Sequence, residues 1–116
     1  MLKKVIDPTV RQDRLRQLAR TFDNELDRIC PLGTWKEDTG SFCWDAWTKL
    51  RITYDRLKGG CRDLYTHEGA RKWEQWADRT IRSYSILVSN LQGATVLDVA
   101  TLRPVLDSIQ ADNLMG

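Results

Sequence analysis

RKWEQWADRTIRSYSILVSNLQG, residues 71–93, is the stretch that decides the fold. Counted from Ala70, its apolar side chains return at Trp73, Ala77, Ile81, Tyr84, Val88 and Leu91, in the three- and four-residue steps that place side chains on one face of an α-helix. Gly93 provides the stop, because glycine takes the left-handed conformation that ends helices at little cost. A long amphipathic helix over about 68–92 follows.

The same rhythm extends in both directions. Upstream, Cys43, Trp47, Leu50, Tyr54, Leu57 and Cys61 form a second stripe, with Ser41 as its expected cap and the glycines of KGG at 58–60 as its expected end, predicting a helix over about 42–58. Before it, Leu15, Leu18, Phe22, Leu26 and Ile29 mark a first helix over about 8–29, with Asp7 placed to cap it and Pro8 suited to the first helical position. Pro31, Gly33 and Gly40 punctuate the connection between the two. Downstream, Thr95 and Thr101 each head a short apolar segment, and the last helix is placed at about 102–112. No useful strand-like alternation occurs, so the expected class is all-α: one domain over 1–116, a small bundle of three long amphipathic helices and a short C-terminal one.

A chain of 116 residues can bury a core but leaves little for a second domain. Its formal charge of +2 arises from 18 basic and 16 acidic side chains, and arginine outnumbers lysine twelve to six. Arginine's planar, permanently charged fork suits phosphate and carboxylate recognition. The opening MLKKVIDP holds no apolar run of signal-peptide length, and nowhere do about 18 apolar residues follow one another. The expectation is a soluble cytoplasmic protein without a membrane partner, its three cysteines reduced.

Two W-x-x-W pairs stand out, Trp44 with Trp47 and Trp73 with Trp76. On a helical wheel Trp73 is central to its apolar arc, Trp76 lies at the edge, and Trp47 flanks the second helix's stripe, so these three are expected in the core. Trp44 points about 110° away from its stripe, toward Arg51 and Lys58, and implies a second apolar face for another helix, a partner or a second copy to cover. Trp35, in the connection, reads either as a plug over the bundle end or as a binding residue.

Opposite Trp73, the residues Arg71, Gln75, Arg79 and Arg82 succeed one another at four, four and three positions, with Lys72 beside them. At about 1.5 Å per residue they make a polar track about 16 Å long. Ordinary ion pairs with Glu68, Glu74 and Asp78 would make this a plain solvated face; a phosphate backbone would make it a rail. Arg16, Arg20, Lys49 and Arg56 are candidates to extend it.

The segment RSYSILVSNLQGATVLDVATLR, residues 82–103, resembles the equivalent part of the nodaviral RNA-silencing suppressors, in which an arginine-bearing long helix runs into a short final one. The residues that carry the likeness are Arg82, Tyr84, Ser89, Leu91 and Val96, and it covers about a fifth of the chain. The first helix and the Trp-rich second helix have no counterpart, and the family's proline at the helix junction is absent. The resemblance implies an antiparallel homodimer that lays helices along double-stranded RNA and shields it from dicing without reading sequence, with Arg79 and Arg82 on phosphates.

Catalytic signatures are missing. There is a single histidine, His67, no glycine-rich phosphate loop and no H-E-x-x-H, and nothing marks an orienting group for a Cys61–His67 pair. Cys30, Cys43, Cys61 and His67 could make up a zinc ligand set, but their spacings of 13, 18 and 6 lack the tight C-x2-C knuckle, and buried thiols are expected instead, with no metal or cofactor. Two readings remain: a non-enzymatic, double-stranded-RNA-binding helical dimer, or a protein–protein adaptor whose docking surface carries Trp44 and Trp35.

Overall fold

The computed structural model describes residues 8–58 and 67–109, which form four helices and no strand: α1 (Pro8–Ile29), α2 (Glu37–Lys58), α3 (His67–Leu91) and α4 (Val99–Asp107). The all-α class and the small bundle are as expected. The Asp7 cap, the helix end at Gly59 and Gly60, Cys61, the side chain of His67 and residues 110–112 lie outside the described residues.

The core is built along α1 and α3. Leu15, Ala19, Phe22 and Leu26 of α1 are buried against α3, whose Trp73, Trp76, Ala77, Tyr84, Leu87, Val88 and Leu91 are buried in turn. The two helices run parallel, as three cross-links at successive heights show. Arg11 pairs with Asp78 at 2.8 Å and Glu74 at 3.2 Å, Phe22 meets Tyr84 with ring centroids 5.7 Å apart, and Arg28 Nη2 donates to the Leu91 carbonyl at 3.0 Å. That last bond caps one of the carbonyls a helix C-terminus leaves without an internal partner. Gly93, at φ 81°, then turns the chain out of α3.

Between two parallel helices the chain must return, and α2 does so. It packs on α1 and α4 and faces α3 across the bundle, where long side chains meet. Thr53 donates its hydroxyl proton to the Lys49 carbonyl at 2.8 Å, which leaves the Tyr84 hydroxyl to donate to Thr53 at 3.0 Å. Burial pushes the Tyr84 phenol above its ordinary range, so it stays protonated and able to donate. Arg56 lies over the Trp76 ring at 5.9 Å.

Two helix starts differ from expectation. α2 begins at Glu37, five residues before 42, and Ser41 is inside it. Thr39 Oγ1 accepts the Lys36 backbone N–H at 2.9 Å, the reciprocal half of a capping box, and so supplies the start signal expected of Ser41. α4 begins at Val99, not 102, because Asp98 caps it: its carboxylate accepts the Thr101 backbone N–H at 3.2 Å and the Thr101 hydroxyl at 2.7 Å. Those bonds hold the Asp98 carboxyl below its ordinary range. Thr101, expected to head the helix, is the residue being capped.

The stripe of α2 is also rotated. Phe42, Cys43, Ala46, Leu50, Thr53 and Leu57 face inward, whereas Trp47 turns out. The cause is α4, which docks on the flank of α2 carrying Asp45 and Lys49: Arg103 pairs with Asp45, and Lys49 Nζ donates to the Ile109 carbonyl at 2.7 Å. With that flank covered, the small Ala46 sits where the helices are close and the bulkier Trp47 is displaced to the opposite side.

Candidate functional site

The track on α3 sits on the side of the helix turned away from α2. Arg71, Lys72, Gln75, Arg79 and Arg82 are all exposed. Two of the acids that would neutralise them are engaged elsewhere, since Glu74 and Asp78, on the flank facing α1, both bind Arg11; Glu68 pairs loosely with Lys72 of the track itself at 3.8 Å. Among the described residues Arg71, Arg79 and Arg82 form no ion pair. The sequence offered those acids as partners for the track; the parallel approach of α1 is what draws two of them off.

Arg79 and Arg82 flank a shallow groove of about 370 Å³ between α3 and α4, with Ile86, Pro104 and Val105 as its apolar floor. Ser83 and Ser108 also line it, but their hydroxyls serve each other: Ser108 donates to the Val105 carbonyl at 2.6 Å, so Ser83 is the donor in their mutual 2.8 Å bond. An anion entering here would therefore be met by the two guanidinium groups and not by hydroxyl donors.

The four residues proposed to lengthen the track do not act together. Lys49 is held by the Ile109 carbonyl and Arg56 lies over Trp76, so neither extends it. Arg16 is exposed beside Asp13 at 3.4 Å, and Arg20 is exposed on the same helix.

The second surface belongs to α2. Trp44 is 60% exposed and Trp47 43% exposed; their rings stack with centroids 5.5 Å apart, and Arg51 lies over Trp47 at 5.0 Å. Ile52 extends this outer face. Trp47 was expected in the core, and its exposure follows from the rotation of α2 described above. Trp35 is half-buried, its indole N–H donating to the Cys30 carbonyl at 3.0 Å, so that its ring folds over the end of α1 and the first turn of α2.

These three tryptophans border a cleft of about 360 Å³ between the C-terminal half of α1 and α2, which the sequence did not reveal. Leu26, Leu32 and Leu50 give it apolar walls, Cys30 and Cys43 contribute thiols, and Asp23 and Asp27 stand on its α1 side. The signal was present as the acidic pair at i, i+4 facing a Trp-rich segment, but only the antiparallel approach of α1 to α2 brings them together. Cys43 is buried, and burial together with neighbouring Cys30 pushes its thiol up to about 12. Among the described residues no three histidine, cysteine or acidic side chains are grouped to hold a metal ion, and no helix is long and apolar enough to cross a membrane. Comparison of the chain with protein-family models, with characterised proteins and with solved structures finds no match.

Proposed function

We propose that this protein binds double-stranded RNA, laying α3 along the phosphate backbone and recognising shape and charge instead of base sequence. One observation carries the reading: Arg71, Arg79 and Arg82 share the exposed side of α3 while Glu74 and Asp78, their natural neutralising partners, are held by Arg11. Three arginines without an ion-pair partner are the arrangement that gains most from displacing the ions condensed on a nucleic-acid duplex. Arginine also matches phosphate oxygens with two parallel N–H donors. The likeness of residues 82–103 to the nodaviral suppressors supports the same ligand and gives it a biological setting, the shielding of viral RNA from dicing in the host cytoplasm. In this reading the protein is not an enzyme.

The test is titration against a short RNA duplex at two salt concentrations. Binding should weaken steeply with salt and be indifferent to sequence. Arg79→Ala or Arg82→Ala should weaken it by about 1 kcal/mol or more and reduce the salt slope by about one charge, with helix content unchanged. Absence of duplex binding at low salt, or arginine variants that bind as wild type does, sinks the reading.

A protein-contact role is favoured by a separate observation. Two stacked, exposed tryptophans beside Ile52 on one helix face form the kind of aromatic patch that proteins bury against partners, and a second copy of the chain is the simplest occupant. The adaptor reading takes this face as its site.

A further inference from the structure

The cleft between α1 and α2 has walls and charges that select a ligand of their own. Its apolar surface alone would admit any hydrophobic group of suitable size, and at about 360 Å³ it lies within the range of small-ligand sites. Two features narrow the choice. The indole rings of Trp35, Trp44 and Trp47 border it, and an indole face carries negative electrostatic potential. Asp23 and Asp27, one helical turn apart on α1, also line it, and among the described residues neither forms an ion pair. The two carboxylates repel each other at this spacing, an unfavourable contact that a cation between or beside them would relieve.

Trp47 is stacked on Trp44 and covered by the Arg51 guanidinium at 5.0 Å, so its faces are taken within the chain and Trp35 and Trp44 are the rings left to meet a ligand. Trp35 is set in place before any ligand arrives, by its hydrogen bond to the Cys30 carbonyl. That bond also engages its one donor, so the indole has no N–H left for an anion. Asp23 and Asp27 stand exposed on one side of the cleft, whereas its other walls are leucine, thiol and indole, so a bare ammonium seated there would find carboxylate acceptors for only part of its N–H donors. An alkylated ammonium has a charge but few or no such donors, and its methyl groups suit apolar walls.

We propose that this cleft is a binding site for an alkylated ammonium cation, either a free quaternary ammonium head or a trimethylated lysine side chain, seated against Trp35 and Trp44, with Trp47 backing Trp44 and Asp23 and Asp27 supplying the counter-charge. Burial and the adjacent Asp27 raise the Asp23 carboxyl above its ordinary value, in keeping with a carboxylate that lacks a positive partner. The site is independent of the arginine track, which is on α3.

Choline and its neutral isostere 3,3-dimethylbutan-1-ol, which differ by the charge alone, are the probes. Titration followed by tryptophan fluorescence and by the indole N–H resonances should show choline binding at least about tenfold tighter than the isostere. The Asp23→Asn, Asp27→Asn double variant, whose side chains stand at the surface, should keep its helix content yet bind choline about tenfold more weakly, close to the isostere. Trp44→Leu should weaken choline binding as well. Equal binding of choline and isostere, no choline binding at millimolar concentrations, or unchanged choline affinity in the double variant each overturns the proposal. A short peptide carrying trimethyllysine separates the two sources: tighter binding than choline assigns the cleft to a modified protein tail, and equal or weaker binding assigns it to a free head group.

Discussion

Trp73 is buried completely while Trp44 keeps 60% of its surface exposed, although both open a W-x-x-W pair on a helix. The stability consequences are correspondingly unequal. Replacing Trp73 by alanine removes a large ring from the contact between α3 and its neighbours, and is expected to cost about 3–5 kcal/mol in urea or guanidinium unfolding. For the isolated chain Trp44→Ala is expected to stay within about 0.5 kcal/mol of wild type, because within one chain the ring it removes is mostly in water already. A large loss that grows with protein concentration would show instead that a second copy covers Trp44. Trp73 was legible in the sequence because its position on the wheel is unambiguous, central to an arc six turns long. Trp47 was not, because a wheel ranks positions by the hydrophobicity of their own side chains. Here the inward position went to Ala46, chosen by the close approach of α4 and not by its own apolar area.

At the scale of elements, glycines show how far local signals reach. Gly33, Gly40 and Gly93 all read as breakers, yet only Gly33 and Gly93 have positive φ, at 102° and 81°. Gly40 is within the first turns of α2, and a Cβ built there would stand 3.5 Å from the Cβ of Trp35, an ordinary contact. Gly40→Ala should therefore stabilise the protein by about 0.5–1 kcal/mol, since alanine restricts the unfolded chain and favours the helix. Gly93→Ala should destabilise it by about 1 kcal/mol, because an L side chain is strained in the left-handed region even though open space surrounds it. Thermal unfolding of both variants checks the pair, and shifts of the same sign would contradict the assigned conformations. Helix existence and type were readable from periodicity throughout. The starts of α2 and α4 were not, because each depends on a side chain bonding one particular backbone N–H. Thr39 and Asp98 had to be preferred over Ser41 and Thr101, residues with similar capping ability.

For the whole molecule, the order in which the helices pack fixes where its two exposed surfaces lie. α2 and α3 are diagonal neighbours, each packed on α1 and α4, so the outer face of α2 with Trp44 and the outer face of α3 with Arg79 and Arg82 look in opposite directions. None of this was legible in the sequence, where both surfaces appeared only as stripes on separate helices with no relation between them. It bears directly on assembly. If Trp44 and Trp47 pair two copies of the chain, the arginine tracks are turned to opposite ends of the dimer, where a single short duplex cannot bridge them, and pairing adds no avidity. The two functions should then be separable. Trp44→Ala is expected to lower the mass seen by light scattering from dimer to monomer while leaving duplex affinity per chain unchanged. Arg82→Ala is expected to do the reverse, keeping the mass and weakening duplex binding by about 1 kcal/mol or more. A dimer that instead aligned its tracks into one strip, as the nodaviral resemblance implies, would lose affinity in both variants, since breaking it would also remove half of the phosphate contacts from each complex. Measuring mass and duplex affinity on the same two variants therefore decides between outward-facing and continuous tracks, and a wild-type monomer at micromolar concentration would leave the tryptophan face to a different protein.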